Sequence, residues 1–151
     1  MYAAFGDKKQ MYRQALDIFA DQLRQEVAKT LGKDDVRAAL KAFYRSAIDV
    51  YTGGEAGPRG CLFVCTTAAE SASDEDLKQD LARVLKEIDA ALADRFRQAQ
   101  ARGDLSRDKD AGSLGAMAAA VLHSLAVRSR AGESRASLRR LADAAAKELL
   151  K

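Results

Sequence analysis

Five residues carry side chains whose chemistry and spacing could serve a functional site: Cys61, Cys65, His123, Tyr44 and Tyr51. The two cysteines are four positions apart, so on a helix they share one face and could form a redox or metal-binding pair. Zinc usually takes four ligands, and this sequence contains a single histidine. The simpler interpretation is therefore that Cys61 and Cys65 are two small buried hydrophobic residues.

The histidine and the tyrosine pair are polar groups within apolar helical patterns. His123 could bind a ligand or titrate near neutral pH, although a lone histidine on an apolar helix is more often satisfied in a core or an interface. Tyr44 and Tyr51 lie two helical turns apart on one side, where their hydroxyls could orient a ligand in an apolar cavity. Plain packing in the core explains the same spacing equally well.

The sequence lacks the residue sets that common enzyme mechanisms require. It contains no Ser-His-Asp or Cys-His arrangement with a plausible third member, no glycine-rich phosphate loop after a strand, and no Glu-x-x-His pair for a di-iron bundle. With one histidine, catalysis would have to use carboxylates and lysines spread over exposed faces. We therefore predict a binding protein that is not an enzyme and that holds no metal and no cofactor.

The composition predicts one all-α domain in the cytoplasm. The chain has 151 residues, one proline, no tryptophan and 6% aromatic residues, and it is dominated by helix formers. A net charge of +3 is too small by itself to indicate a polyanionic partner. The N-terminus has no basic start followed by an apolar run, and two cysteines without a secretory signal indicate reduced thiols.

Hydrophobic spacing and capping residues predict six helices after a short N-terminal stub. Gly6 is expected to end the stub, and Asp7 is expected to cap the helix that follows. The run CLFVCTTAAE could be interpreted as a strand, but a lone strand leaves its backbone groups unsatisfied, so we expect a short helix there. The expected helices span 8–31, 36–51, 60–71, 74–102, 110–130 and 134–150.

The segment from Ala111 to Arg130 is the helix around which the others are expected to pack. It carries no charge as far as Val127, and a helix that is apolar on nearly all sides must be covered on nearly all sides. The stripe expected to face the core contains Leu114, Met117, Val121, Leu122 and Leu125. An uncharged run of roughly 17 residues is marginal for a bilayer span, which needs about 20 strongly apolar residues. We therefore expect no membrane span and a second subunit over part of this helix.

Three motifs in this order resemble the TetR/AcrR-type transcriptional regulators. The run YxxFGxKxxMYxxxL at 2–16 resembles the junction between the DNA-recognition helix and the ligand-binding domain of that family. The run PRGCL at 58–62 resembles a segment common in one branch, and LHSLAVRSRAG at 122–132 resembles that branch's penultimate helix and turn. The resemblance covers essentially the whole chain.

The resemblance implies a six-helix C-terminal domain whose last two helices form a four-helix bundle with a second copy. Residues 1–6 would be the end of a recognition helix, and 7–151 would be the effector-binding and dimerisation domain. Family members carry a helix and a helix-turn-helix before this point. DNA binding would then come only through such a head, with Tyr2 and Lys8 as phosphate contacts.

The resemblance also implies a cavity for a small, largely apolar effector and a homodimer interface. The cavity candidates are Phe19, Leu23, Tyr44, Ile48, Tyr51, Cys65, Leu85, Ile88, Leu92 and Met117. The interface candidates are Ala116, Ala119, Ala120, His123, Val127, Leu138, Leu141 and Ala145. The chain would be the ligand-binding domain of a repressor. The alternative is a standalone all-α dimeric binding module, or a partner of a full-length regulator, with no DNA binding of its own.

Overall fold

The computed structural model describes residues 2–53, 65 and 67–151, with side chains from Gln10 onward except those of Tyr12 and Phe19. These residues form six helices. The helices are α1 (Tyr2–Leu31), α2 (Val36–Thr52), α3 (Ala68–Glu70), α4 (Glu75–Arg102), α5 (Ala111–Arg130) and α6 (Arg135–Leu149). The described part of the chain contains no strand, so the predicted all-α class is confirmed.

Four of the helices begin at polar residues that cap them. Asp35, Asp74, Asp110 and Ser134 each accept a hydrogen bond from the backbone N–H three residues later, at 2.6 to 3.2 Å. The first N–H groups of a helix have no partner within the helix, so such a side chain fixes where the helix starts. These boundaries are therefore set locally and agree with the predicted ones.

Glycines end two of the helices, but Gly6 does not interrupt the first. Gly103 and Gly132 have φ values of 83° and 91°, a left-handed conformation that suits the end of a helix. In contrast, α1 runs without a break from Tyr2 to Leu31, so the expected stub and the cap at Asp7 are wrong. One glycine inside a long helix costs only about 1 kcal/mol relative to alanine, which the neighbouring turns outweigh.

Only the end of the third predicted helix falls within the described residues. Ala68–Glu70 form α3, and Cys65 and Thr67 precede it in π-helical geometry. Residues 54–64 and 66 lie outside the described part of the chain. This range includes the glycine-rich loop and Cys61, so the relation between the two cysteines stays a prediction.

α5 lies at the centre of the fold, in contact with α4, α2 and α6. It comes closest to α4 at Gly115, where a Cβ atom would lie 2.7 Å from the Asp89 carbonyl oxygen and 2.8 Å from the Ala93 nitrogen. Such a short approach is possible only because Gly115 has no side chain. The other contacts place α2 beside α1, α5 and α6, and α4 beside α1.

The core side of α5 is built mainly from leucine and alanine. Its residues include Leu114, Ala118, Ala119, Leu122, Leu125 and Ala126, all at most 5% exposed. Met117 was expected in this stripe but is 47% exposed, so that part of the prediction is wrong. At 100° per residue, Met117 points about 120° away from the centre of the buried face, which runs through Leu122 and Ala118.

Among the described residues, one helix, α5, has the length and the apolar composition that a membrane span would need. Over the most apolar 18-residue stretch of α5 the mean hydropathy is 1.2, and 44% of that stretch is buried inside the protein. The same properties are typical of a central helix in a domain of this size. The contacts of α5 with three neighbouring helices agree with that second explanation.

Candidate functional site

The interior between α1, α2, α4 and α5 contains most of the predicted cavity residues. Five of them are buried in the core: Tyr44, Ile48, Tyr51, Ile88 and Leu92. Three are half-buried: Leu23, Cys65 and Leu85. Met117 faces outward, and the Phe19 side chain lies outside the described ones. Seven of the ten candidates therefore belong to the core or pack against it, whereas Leu85 and Met117 do not.

Two buried hydrogen bonds tie α2 to α5 within this interior. The Tyr44 hydroxyl donates to the Ala118 carbonyl at 2.8 Å, and burial raises the pKa of Tyr44. The Ser129 hydroxyl donates to the Tyr51 carbonyl at 3.1 Å. The Tyr44 hydroxyl therefore uses its donor inside the protein, as buried polar groups usually do, and its part in ligand binding stays a prediction.

Cys65 also lies against α5. Its sulfur is 4.0 Å from the Ala126 carbonyl oxygen, and its side chain is half-buried. This position fits a small hydrophobic residue with a weak donor. Across the described residues, no three His, Cys, Asp or Glu side chains are grouped so that they could hold a metal ion.

A small apolar pocket lies between α1 and α4. Its lining residues are Ala20, Leu23, Arg24 and Val27 from α1 and Val84, Glu87, Ile88 and Ala91 from α4. The pocket volume is about 40 Å³, enough for a few water-sized groups. Pockets that bind drug-sized ligands have about 300–1,000 Å³. A larger molecule therefore enters here only if α1 and α4 move apart.

An ion pair joins the two charged residues of this pocket. The Arg24 Nε donates to one Glu87 carboxylate oxygen at 3.0 Å, and the Nη2 donates to the other at 3.4 Å. The hydrogen bond from Arg24 lowers the pKa of Glu87, and the same bond raises the pKa of Arg24. Both side chains remain exposed to solvent, at 45% for Arg24 and 38% for Glu87.

Further ion pairs continue along the same contact. Arg13 lies 3.5 Å from Asp80, and Arg83 lies 3.9 Å from Asp17. All these pairs join residues with similar separations in sequence, so α1 and α4 run side by side in the same direction. We call this contact, between residues 13–31 of α1 and 76–95 of α4, the α1–α4 seam.

Arg95 lies at the far end of the α1–α4 seam and is a buried charged residue that was not predicted from the sequence. It is only 5% exposed, and its guanidinium donates to the carbonyls of Leu31, Lys33 and Asp34 at 2.9, 2.7 and 2.9 Å. This cation satisfies the last carbonyl of α1 and two carbonyls of the turn that follows it, and it complements the dipole of α1. Nη1 is buried and has no hydrogen-bond partner among the described residues.

The outer side of α5 forms an uncharged surface next to α6. Ala116, Met117, Ala120 and Val127 are exposed on it. The candidates His123, Leu141 and Ala145 are half-buried. Ala119 and Leu138 are 1% and 0% exposed, because they pack in the core of the same chain. These two therefore offer no surface to a second copy, which corrects their place among the interface candidates.

His123 lies at the edge of this surface, near α4. Burial lowers the pKa of the His123 imidazole, and the Asp89 carboxylate on α4 opposes that shift. The folded chain therefore disfavours the charged imidazolium form of His123 relative to the unfolded chain. The side chains of Tyr2 and Lys8, the predicted phosphate contacts, lie outside the described ones, so their role stays a prediction.

Comparison with known proteins identifies the class of this fold. A family model described as "Tetracyclin repressor-like, C-terminal domain" matches residues 36–145. The chain belongs to this family of TetR-type transcriptional regulators, as its sequence motifs implied. No curated protein matches the chain.

Solved structures of TetR regulators share the whole fold. One is the TetR family transcriptional regulator CifR, a cysteine mutant complexed with 26-bp operator DNA, with a TM-score of 0.84 and 28% identity. The match covers 97% of this chain and 76% of CifR. A TetR regulator from Chloroflexus aurantiacus gives a TM-score of 0.79 at 22% identity, over 99% of this chain and 75% of its own. The second likeness concerns the fold alone.

Proposed function

We propose that this chain is the effector-binding and dimerisation domain of a cytoplasmic repressor. A small, largely apolar effector binds in the interior between α1, α2, α4 and α5, and α5 and α6 pair with the same helices of a second copy. An effector that prefers one conformation of the domain would shift the regulator toward that conformation. The observation that carries the dimer is the exposed, uncharged outer side of α5.

The composition of this surface suits a helix–helix contact. Ala116 and Ala120 are small enough to let another helix approach closely, and the exposed Met117 and Val127 supply apolar area beside them. Water contact with such a surface is unfavourable, and a self-complementary patch is buried by a two-fold dimer. An obligate dimer of this kind buries more than about 2,000 Å² in total.

Ala120→Arg tests the dimer directly. The substitution introduces a charge into the centre of the proposed contact, where it would have no partner. We expect the wild type to sediment as a dimer at micromolar concentration and Ala120→Arg to sediment as a folded monomer. Ala82→Arg on the exposed side of α4 is the matched control and should remain dimeric. A wild type that sediments as a monomer contradicts the proposal.

DNA recognition by the regulator is assigned to a helix-turn-helix head, with Tyr2 and Lys8 in supporting phosphate contacts. Phosphate contacts position a protein on DNA, whereas side chains that reach the base edges give sequence specificity. CifR is a TetR regulator whose structure contains operator DNA, which supports this assignment. We expect the 151-residue chain alone to show no sequence-specific binding in about 150 mM salt.

A grafting experiment tests the assignment of the head. A TetR-type helix-turn-helix joined ahead of Tyr2 should produce a dimer that binds the operator of the regulator that donates the head, measured by fluorescence anisotropy. The ungrafted chain is the control and is titrated against the DNA flanking its own gene. Tight, sequence-dependent binding by the ungrafted chain would show that the DNA-reading element lies within these residues instead.

A further inference from the structure

We propose that a polar cleft at one end of the fold binds a small aliphatic dication, a molecule with two ammonium groups joined by a hydrocarbon chain. The cleft is lined by residues 34–37 around the start of α2, by Arg102 and Asp104 at the end of α4, and by Leu150 at the end of α6. Its volume is about 470 Å³, within the range of pockets that bind small molecules. None of these residues is an effector or interface candidate, so the site is separate from the proposed function.

The side chains of this cleft leave a negative charge without a partner. The lining contains three aspartates and two arginines, which gives it a net charge of −1. Both arginines are engaged, because Arg37 donates to a backbone carbonyl at the end of α6 at 3.1 Å and Arg102 lies 3.6 Å from the Asp34 carboxylate. In contrast, the Asp104 carboxylate has no hydrogen-bond or ion-pair partner among the described residues. A ligand that completes the site therefore brings positive charge.

The ends of three helices add negative potential to the cleft. α4 and α6 end at it, and α1 ends just before residue 34, whereas only α2 begins there, with Asp35 as its cap. The carbonyl end of a helix favours cations. The chain's own cations already use this field, since Arg95 donates to three carbonyls at and after the end of α1, and Lys109 donates to the Leu149 carbonyl at 3.0 Å. The same field favours a cationic ligand over an anion.

The placement of the carboxylates favours an elongated ligand over a single metal ion. Across the described part of the chain, no three His, Cys, Asp or Glu side chains are grouped so that they could hold a metal ion. The aspartates instead come from two walls, Asp34 and Asp35 before α2 and Asp104 after α4. A diamine can place one ammonium group at each wall. Its hydrocarbon chain suits Val36 and Leu150, the two apolar residues of the lining.

Hydrogen bonds within and between the elements hold both walls of the cleft in place. Arg95 donates to the Asp34 carbonyl at 2.9 Å, and Arg37 joins the start of α2 to the Leu150 carbonyl. The Asp104 backbone N–H donates to the Ala99 carbonyl at 2.9 Å, so this carboxylate is carried by an ordered turn. A ligand would therefore bind with little ordering of the backbone, which favours affinity.

Titration with 1,5-diaminopentane tests the site. In NMR spectra of the ¹⁵N-labelled chain, we expect saturable shifts of the backbone amides at 34–37 and 102–104. 1-Aminopentane has the same hydrocarbon chain and one ammonium group, so it should bind at least threefold more weakly. MgCl₂ and sodium pentanedioate, at equal ionic strength, test the metal ion and the anion as alternatives, and neither should saturate these amides as the diamine does.

Three charge changes test the roles of the side chains. Asp104→Asn removes the unpaired carboxylate and should weaken diamine binding at least threefold. Arg102→Gln removes a positive charge and frees Asp34 from its ion pair, so it should bind the diamine more tightly than the wild type, by about twofold or more. Asp94→Asn removes a carboxylate that pairs with Arg97 inside α4, away from the cleft, and should bind as the wild type does. Circular dichroism verifies that each variant is folded.

Four results would overturn the inference. They are the absence of saturable diamine shifts at these amides, an unchanged affinity in Asp104→Asn, an equal response to MgCl₂, and tighter binding of pentanedioate than of the diamine. The third result would assign the cleft to a metal ion, and the fourth would assign it to an anion. None of the four bears on the proposed dimer or on the apolar effector, because the cleft contains none of their candidate residues.

Discussion

Replacing Gly115 by alanine tests the close approach between α4 and α5. A Cβ atom at this position would lie 2.7 Å from the Asp89 carbonyl oxygen, 2.8 Å from the Ala93 nitrogen and 3.0 Å from the Ala93 Cβ. Two of these three atoms belong to the backbone of α4, so no side chain can rotate away. The added methyl group therefore forces the two helices apart or displaces a turn of one of them.

The expected cost follows from two opposing effects. Overpacking a well-packed contact costs about 1–3 kcal/mol. Alanine in place of glycine inside a helix stabilises the helix by about 1 kcal/mol, because alanine has the higher helix propensity. Because the clash is with backbone atoms of α4, the upper part of the overpacking range applies, about 2–3 kcal/mol. We therefore expect Gly115→Ala to lower the free energy of unfolding by a net of about 1–2 kcal/mol, which corresponds to about 2–8 °C in Tm for a chain of this length.

Gly112→Ala in the same helix is the matched control. The nearest atom to a Cβ there is an Asp110 carboxylate oxygen at 3.4 Å, an ordinary contact distance. This variant should therefore be more stable than the wild type, by about 0.5–1 kcal/mol. Urea unfolding followed by circular dichroism, at one protein concentration for all variants, measures both changes. If Gly115→Ala unfolds at the same urea concentration as the wild type, the close approach of α4 and α5 is not real.

Two further predictions concern the buried Arg95 and the half-buried His123. Arg95→Met should lower the free energy of unfolding by about 2–4 kcal/mol in urea titrations, because the carbonyls at the end of α1 lose a charged donor, and Arg95→Lys should recover only part of the loss. Because the folded chain lowers the pKa of His123 below its ordinary value of 6.5, the unfolded chain binds that proton more tightly. The free energy of unfolding should therefore decrease as the pH falls below about 6.5, and His123→Gln should not show this decrease. An equal loss in His123→Gln would assign it to other groups.

The start and end of most helices could be predicted because the signals are local. Asp74 bonds to the first turn of α4, and Gly103 takes the left-handed conformation at its end, so a few neighbouring residues suffice to place that helix. The burial of Arg95 was not predicted, although its position carries a signal. Arg95 follows Ile88 and Leu92 at the spacing of the apolar stripe, so a charge stands where a core residue is expected.

The exposure of Met117 could not be predicted, because it depends on which neighbours α5 meets. Both faces of the helix are apolar, and periodicity alone does not say which face lies against α4. The structure places the small residues Gly115 and Ala119 on the buried side, since a close helix contact requires small side chains. The larger Met117 is left outside, on the surface where we propose that a second copy packs.

The contacts between the helices differ in kind, and this difference limits which helix can move. α5 is joined to α4 by close backbone packing at Gly115 and to α2 by the buried bond from Tyr44, and neither contact opens without leaving a void or an unpaired polar group. The α1–α4 seam is closed over much of its length by exposed ion pairs instead. α1 also packs closely against α2, so opening the α1–α4 seam alone would leave α1 attached to the rest of the fold.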